Sequence, residues 1–211
     1  MSQSELVRLD EGGYLSVLAP DNIDSGKAHP LVVSLHYGGP VSPGYGGVLL
    51  NDVVAPALQA LDAVMVAPDC GCDTWAEAPC AAALVQAIDY ARERYAIDSC
   101  RIVLVGYSKG GIGTWSHANA HTPAFSAAVV MAGQPPDTLD VDAWQVPVYA
   151  IQADADELMP VAPTAEVISA LQAQGVKATL TVLEGVTHFE TFRFAEALRA
   201  AVPWLRRVWH Q

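Results

Sequence analysis

Basic residues are scarce in this chain: Lys and Arg number 11 against 23 Asp and Glu, a formal charge of −12. Nucleic acid and anionic membrane surfaces both recruit Lys and Arg, so neither is an expected partner. The acidic balance reads as solvated faces that aid solubility, and it disfavours only a polyanionic substrate. Long apolar runs are lacking too. The stretch 124–132 is among the longest, is broken by Ser126, and falls well short of a membrane span. The opening MSQSELVRLDEGG has neither a basic segment nor an apolar one, so no signal peptide is read and a cytoplasmic location is expected. Cysteine is limited to Cys70, Cys72, Cys80 and Cys100. Three of them crowd one loop, but a zinc site wants tighter pair spacing and a clear fourth ligand. Free or partly bridged structural cysteines are expected, and no metal.

Apolar residues, by contrast, are plentiful, at 52% of the chain, with a mean hydropathy of +0.25. A length of 211 residues suits one domain, spanning 1–211, able to bury a core without disulfides or metals. That apolar content suits a parallel sheet sandwiched between helices, with strands buried on both faces.

Runs at 31–35, 63–67, 102–105, 127–131, 148–151 and 178–183 read as such strands. Between them 48–61, 80–95, 112–120 and 163–174 read as helices, with Pro56 a kink in the first and Gly175 the stop of the last. A closing helix is predicted over 190–208, broken near Pro203. Near the N-terminus, 6–9 and 14–18 flank Glu11-Gly12-Gly13 as a hairpin of two edge strands. Strict alternation after residue 31 predicts an α/β fold, a mostly parallel sheet with helices on both faces.

The chemistry centres on 101–111, RIVLVGYSKGG. Gly106-Tyr107-Ser108-Lys109-Gly110 fits G-x-S-x-G between a buried strand and a helix. A strand that turns into a helix within one residue forces its corner toward positive φ. The flanking positions must then lack side chains so that the two elements can pass closely. Ser108 is left at the tip, above a helix N-terminus whose free N–H groups favour a developing anion.

A serine hydroxyl needs a base, and the base needs an orienting acid. The histidines are His29, His36, His117, His121, His188 and His210. His188 follows the strand 178–183 and sits where the C-terminal ends of parallel strands gather chemistry, so it is the expected base. His210 is read as terminal and solvated, His117 and His121 as surface or helix-end residues, and His36 as a support beneath its loop. The acid should follow 148–151, where Asp154, Asp156 and Glu157 all stand.

The elbow, the strand-ending His36-Tyr37-Gly38-Gly39, and a late Asp and His in that order resemble the α/β-hydrolase serine esterases. The compact lidless carboxylesterase, dienelactone-hydrolase and feruloyl-esterase-like members are nearest, over about 31–194. Relatives often place the acid in H-G-x-x-D, with proline four residues on. Here Gln152 and Ala153 replace His-Gly, Asp156 takes the acid position and Pro160 matches. The resemblance thus favours Asp156, with Asp154 second. It also implies an oxyanion hole from the Lys109 N–H and an N–H of the 36–39 loop, Gly38 or else Tyr37, the latter standing where relatives carry glycine. Lys109 could use its charge on an anionic intermediate or simply face solvent.

Tyr37, Tyr45, Trp75, Trp115, Met159 and Phe189 are candidates to line the substrate pocket, Trp75 and Phe189 foremost because each adjoins a strand's C-terminal end. The expected function is a serine carboxyl-ester hydrolase using Ser108, His188 and Asp156 on small or medium soluble esters, without cofactor or cap domain. A peptidase or amidase on the same fold, or a binding protein with a vestigial triad, are the alternatives.

Overall fold

In the computed structural model, residues 3–9, 12–21, 23, 26–120 and 125–210 are described. Alternation along the central strands decides where every side chain goes. On β3 (His29–Leu35) and β5 (Ile97–Tyr107), Val32, Val103 and Val105 enter one apolar core, while Leu31, Val33, Leu35, Ile102 and Leu104 enter a second on the other face. This is the period of two expected of strands buried on both sides. Each such fully buried Val or Leu contributes about 1.5–3 kcal/mol.

The remaining strands are β1 (Glu5–Arg8), β2 (Tyr14–Leu18), β4 (Val64–Pro68), β6 (Ala127–Met131), β7 (Val148–Ala153) and β8 (Ala178–Leu183). They form one eight-stranded sheet in the order β1-β2-β4-β3-β5-β6-β7-β8. The β1–β2 and β2–β4 pairings are antiparallel and the rest parallel. Only β1 of the predicted N-terminal pair is therefore an edge strand, since β2 is bonded on both sides. The predicted turn residue Glu11 lies outside the described residues, and Gly12 beside it has φ +93°. The β3–β5 register shifts between His29 and Leu31, where Pro30 has no N–H to donate.

One face is covered by α1 (Gly46–Leu49), α2 (Ala55–Leu58), α6 (Thr191–Ala200) and α7 (Val202–Trp209), through Leu49, Leu58, Phe194, Leu198 and Leu205. The other is covered by α3 (Ala78–Arg94), α4 (Lys109–Ala118) and α5 (Val161–Ala173), through Leu84, Trp115, Ile168 and Leu171. The single kinked helix predicted over 48–61 is instead α1, a π-helical turn at Leu50–Val54, α2 and a 3₁₀ turn at Gln59–Leu61. Pro56 is the reason: it lacks an N–H and crowds the carbonyl four residues back, so the preceding turn widens. Pro203 acts likewise between α6 and α7, and the break falls at Ala201. Among the described residues no helix is long and apolar enough to cross a membrane.

Candidate active site

The corner between β5 and α4 is tightly wound. Ser108 has φ 55° and ψ −118°, a backbone that L side chains rarely adopt. Its neighbours permit the crossing: a Cβ on Gly106 would strike the Gly110 carbonyl, and one on Gly110 would strike the Leu35 carbonyl. The Ser108 N–H donates to the Met131 carbonyl at 2.9 Å, which anchors the corner to β6. The Ser108 side chain is half-buried and projects above the strand ends.

His188 reaches that hydroxyl from a loop 80 residues further on. Ser108 Oγ lies 2.8 Å from His188 Nε2, and His188 Nδ1 lies 2.7 Å from Asp156 Oδ2. The network assigns the tautomer: Nδ1–H donates to the carboxylate, which leaves Nε2 to accept the serine proton. The Asp156 side chain is fully buried, and its Oδ1 accepts the N–H groups of Leu158 and Met159 at 2.9 and 2.7 Å. Those bonds fix the direction of the carboxylate. Asp154 is exposed and accepts the Gly185 N–H at 2.7 Å, so it serves the β7 and β8 loops rather than the imidazole.

Four further bonds hold the histidine loop, and none is read from the sequence. The Tyr107 hydroxyl donates to the His188 carbonyl at 2.6 Å, and the His188 N–H donates to Glu157 Oε2 at 3.1 Å. Glu190 accepts the N–H and O–H of Thr187 at 2.8 and 2.9 Å, which holds its carboxyl below the usual glutamate range. Burial, then the carboxylates of Asp156, Glu157 and Glu190, push the Tyr107 phenol up, so it keeps the proton it donates. The residue before the nucleophile and a T-x-x-E following a strand were the available signals.

The 36–39 loop meets the start of α4, where a Cβ on Gly110 would lie 2.8 Å from the His36 carbonyl. His36 is fully buried; its Nε2 accepts the Cys70 N–H at 2.9 Å, so its Nδ1–H donates to the Tyr37 carbonyl at 2.7 Å. Burial lowers its pKa, as befits an imidazole that must stay neutral to accept. Lys109 begins α4, so its N–H has no carbonyl one turn earlier in the helix to bond. Its ammonium is tied to the loop after β4. It donates to the carbonyls of Cys72 at 2.8 Å and Cys70 at 3.4 Å, and desolvation lowers its pKa. Asp69, unassigned in the sequence, accepts the Gly44 and Gly46 N–H groups at 2.7 Å each and ties the end of β4 to the start of α1.

The aromatic expectations divide. Tyr37 is half-buried near Tyr45 and Tyr107, with ring centroids 5.7 and 6.2 Å away, and Phe189 is 72% exposed with its ring 5.5 Å from that of His188. Trp75 is a correction: at 1% exposure it offers a ligand no surface. It packs against Gly113 of α4, and its indole N–H donates to the His36 carbonyl at 3.1 Å. Trp115 is likewise core, in contact with Trp144 at 5.1 Å. His117 lies in the last turn of α4, the helix-end position expected of it, but is buried rather than at the surface, and its Nε2–H donates to the Trp75 carbonyl at 2.7 Å. His210 is exposed past α7, His29 is buried with Nδ1 2.9 Å from the Asp62 carbonyl, and His121 lies outside the described residues. A 430 Å³ cavity lined by Leu18, Asn51, Gln59 and Met65, among others, holds none of these site residues.

A parallel sheet with antiparallel strands at one end, helices on both faces and a serine at the β5–α4 corner defines the α/β-hydrolase fold. Solved structures with this fold are similar over almost the whole chain. They include a thermostable esterase (TM-score 0.74, 22% identity, 96% of this chain and 59% of that one). A propionate-bound esterase of Thermogutta terrifontis gives a TM-score of 0.73 at 16% identity, over 97% and 94% of the two chains. A ferulic acid esterase gives 0.74 at 18%, over 98% and 99%. This chain thus spans little more than half the length of the first and nearly all of the other two. No curated protein matches it by sequence. The dienelactone hydrolase family matches residues 72–201, and the chain belongs to that family.

Proposed function

We propose that this chain is a serine carboxyl-ester hydrolase acting through Ser108, His188 and Asp156, in a single domain over 1–211. The observation that carries the reading is the unbroken relay from Ser108 Oγ to His188 to buried Asp156, at 2.8 and 2.7 Å. His188 Nε2 takes the serine proton as Oγ attacks the acyl carbon, and Asp156 balances the imidazolium charge. The carbonyl oxygen becomes an oxyanion held by the Lys109 and Gly38 N–H groups, aided by the α4 N-terminus. Its collapse expels the alcohol, which receives the proton from His188. Water, deprotonated by the same imidazole, then attacks the acyl-enzyme and restores Ser108. Membership of a hydrolase family and likeness to esterase structures support the ester as substrate class.

Tyr37 and Phe189 border the acyl or alcohol site. The connection from 132 to 147, between β6 and β7, is too short for a cap domain, which favours small or medium soluble esters over lipid interfaces. A fluorophosphonate probe is expected to label Ser108 and to fail on Ser108→Ala, whose kcat falls on the order of 10⁴-fold or more. A p-nitrophenyl ester series of rising acyl length should be cleaved, with the matching anilide much slower. Normal turnover by His188→Ala, or equal rates on ester and anilide, would count against the reading.

A further inference from the structure

Sulfur converges beside the elbow, on a part of the molecule that the ester chemistry does not use. The Sγ atoms of Cys70, Cys72 and Cys80 all lie within 4.8 Å of one another. Cys70 and Cys80 are buried and joined by a disulfide, while Cys72 is half-buried and unpaired. Chain spacing puts the three cysteines in one region, and the start of α3 turns Cys80 back over the loop. There its N–H donates to the Glu77 carbonyl at 3.0 Å.

The backbone under two of the sulfurs is held from both sides. The Cys70 N–H donates to His36 Nε2 at 2.9 Å, and the Lys109 ammonium donates to the Cys72 and Cys70 carbonyls at 2.8 and 3.4 Å. The backbone of Cys70 and Cys72 therefore has anchors other than the bond between Cys70 and Cys80. A zinc-like ion with metal–sulfur bonds of about 2.3 Å seats three thiolates roughly 4 Å apart, so Cys72 already lies within reach while the Cys70 and Cys80 sulfurs part once their bond is reduced. Thiolates select soft d¹⁰ cations over Mg²⁺ or Ca²⁺.

We propose that, once the Cys70–Cys80 bond is reduced, Cys70, Cys72 and Cys80 form a three-thiolate site for a thiophilic divalent cation of the zinc group. A phosphine or dithiol reductant supplies the two electrons that split the S–S bond into two thiols. The three S–H protons then pass to solvent as three metal–sulfur bonds form. Three thiolates and a dication leave one net negative charge, and the Lys109 ammonium beside the loop offsets it. Both His36 nitrogens are already bonded, and among the described residues no carboxylate joins the three sulfurs within 4.8 Å, so the fourth position falls to water or a small anion.

The test uses full-length protein, reduced with a phosphine, desalted anaerobically and titrated with Cd²⁺. A sulfur-to-cadmium charge-transfer band should saturate at one ion per chain, with a rise in Tm. The band should be absent from disulfide-bonded protein. Cys72→Ser leaves the Cys70–Cys80 pair intact for folding and should weaken binding about tenfold or more, while Cys100→Ser should bind like the parent. Absence of a stoichiometric band in the reduced parent, or parent-like binding by Cys72→Ser, overturns the site. Fluorophosphonate labelling of Ser108 is scored separately, so failure here leaves the hydrolase reading untouched.

Discussion

Tyr107 shows how one atom can serve the geometry of a distant loop. Its hydroxyl fixes the His188 carbonyl at 2.6 Å while its ring packs on Phe194 at 5.0 Å. Tyr107→Phe keeps the ring and leaves a buried carbonyl unsatisfied, at a cost of about 1–3 kcal/mol. In a chain of this size that is a drop of several degrees in Tm, at about 2–4 °C per kcal/mol. Because the lost bond aims the imidazole, kcat on a p-nitrophenyl ester should fall while KM holds. A variant with parent Tm and parent kcat would show that the bond positions nothing. Glu190 offers a pH test in the same loop. Its folded pKa is depressed, so its stabilisation of the Thr187 turn is complete above the ordinary value of 4.5 and lost as pH falls through the lower folded midpoint. Carboxyl and Thr187 amide NMR shifts should titrate together with a midpoint below 4.5; one at or above 4.5 contradicts the assignment.

At the scale of elements, the decisive contact is the crossing of β3, β5 and α4. A Cβ on Gly110 would meet the Leu35 carbonyl and, at 2.8 Å, the His36 carbonyl, so neither strand nor helix could hold its place. Gly110→Ala is expected to destabilise by about 4 kcal/mol or more, read by denaturant midpoint. Gly38→Ala meets nothing within 4 Å and should stay within about 0.5 kcal/mol of the parent. Equal midpoints for the two variants would show that the crossing is looser than described. The elements themselves were largely legible: β2, β6 and β8 begin and end close to the apolar runs that announce them. The π-helical turn before Pro56 was not, because proline signals a disturbance without saying whether the helix bends, stops or widens.

Across the whole molecule, the split between what was legible and what was not follows distance along the chain. Alternation, glycine placement and the strand–G-x-S-x-G–helix order are local. The sequence by itself therefore determined the two-faced parallel sheet, the strained corner at Ser108 and the candidacy of His188. Which carboxylate meets His188 was open between Asp154 and Asp156. They stand two residues apart on a loop whose path depends on β8 lying beside β7, and only Asp156 turns inward. Trp75, a candidate for the pocket, and His117, a candidate for the surface or a helix end, are both buried because α4 folds over the loop from 70 to 77. The cysteine cluster and the Lys109 contact arise the same way, from α3 and α4 closing on the end of β4. Tertiary structure decided these because burial and bonding between segments tens of residues apart depend on how layers pack, and residue spacing carries no record of that.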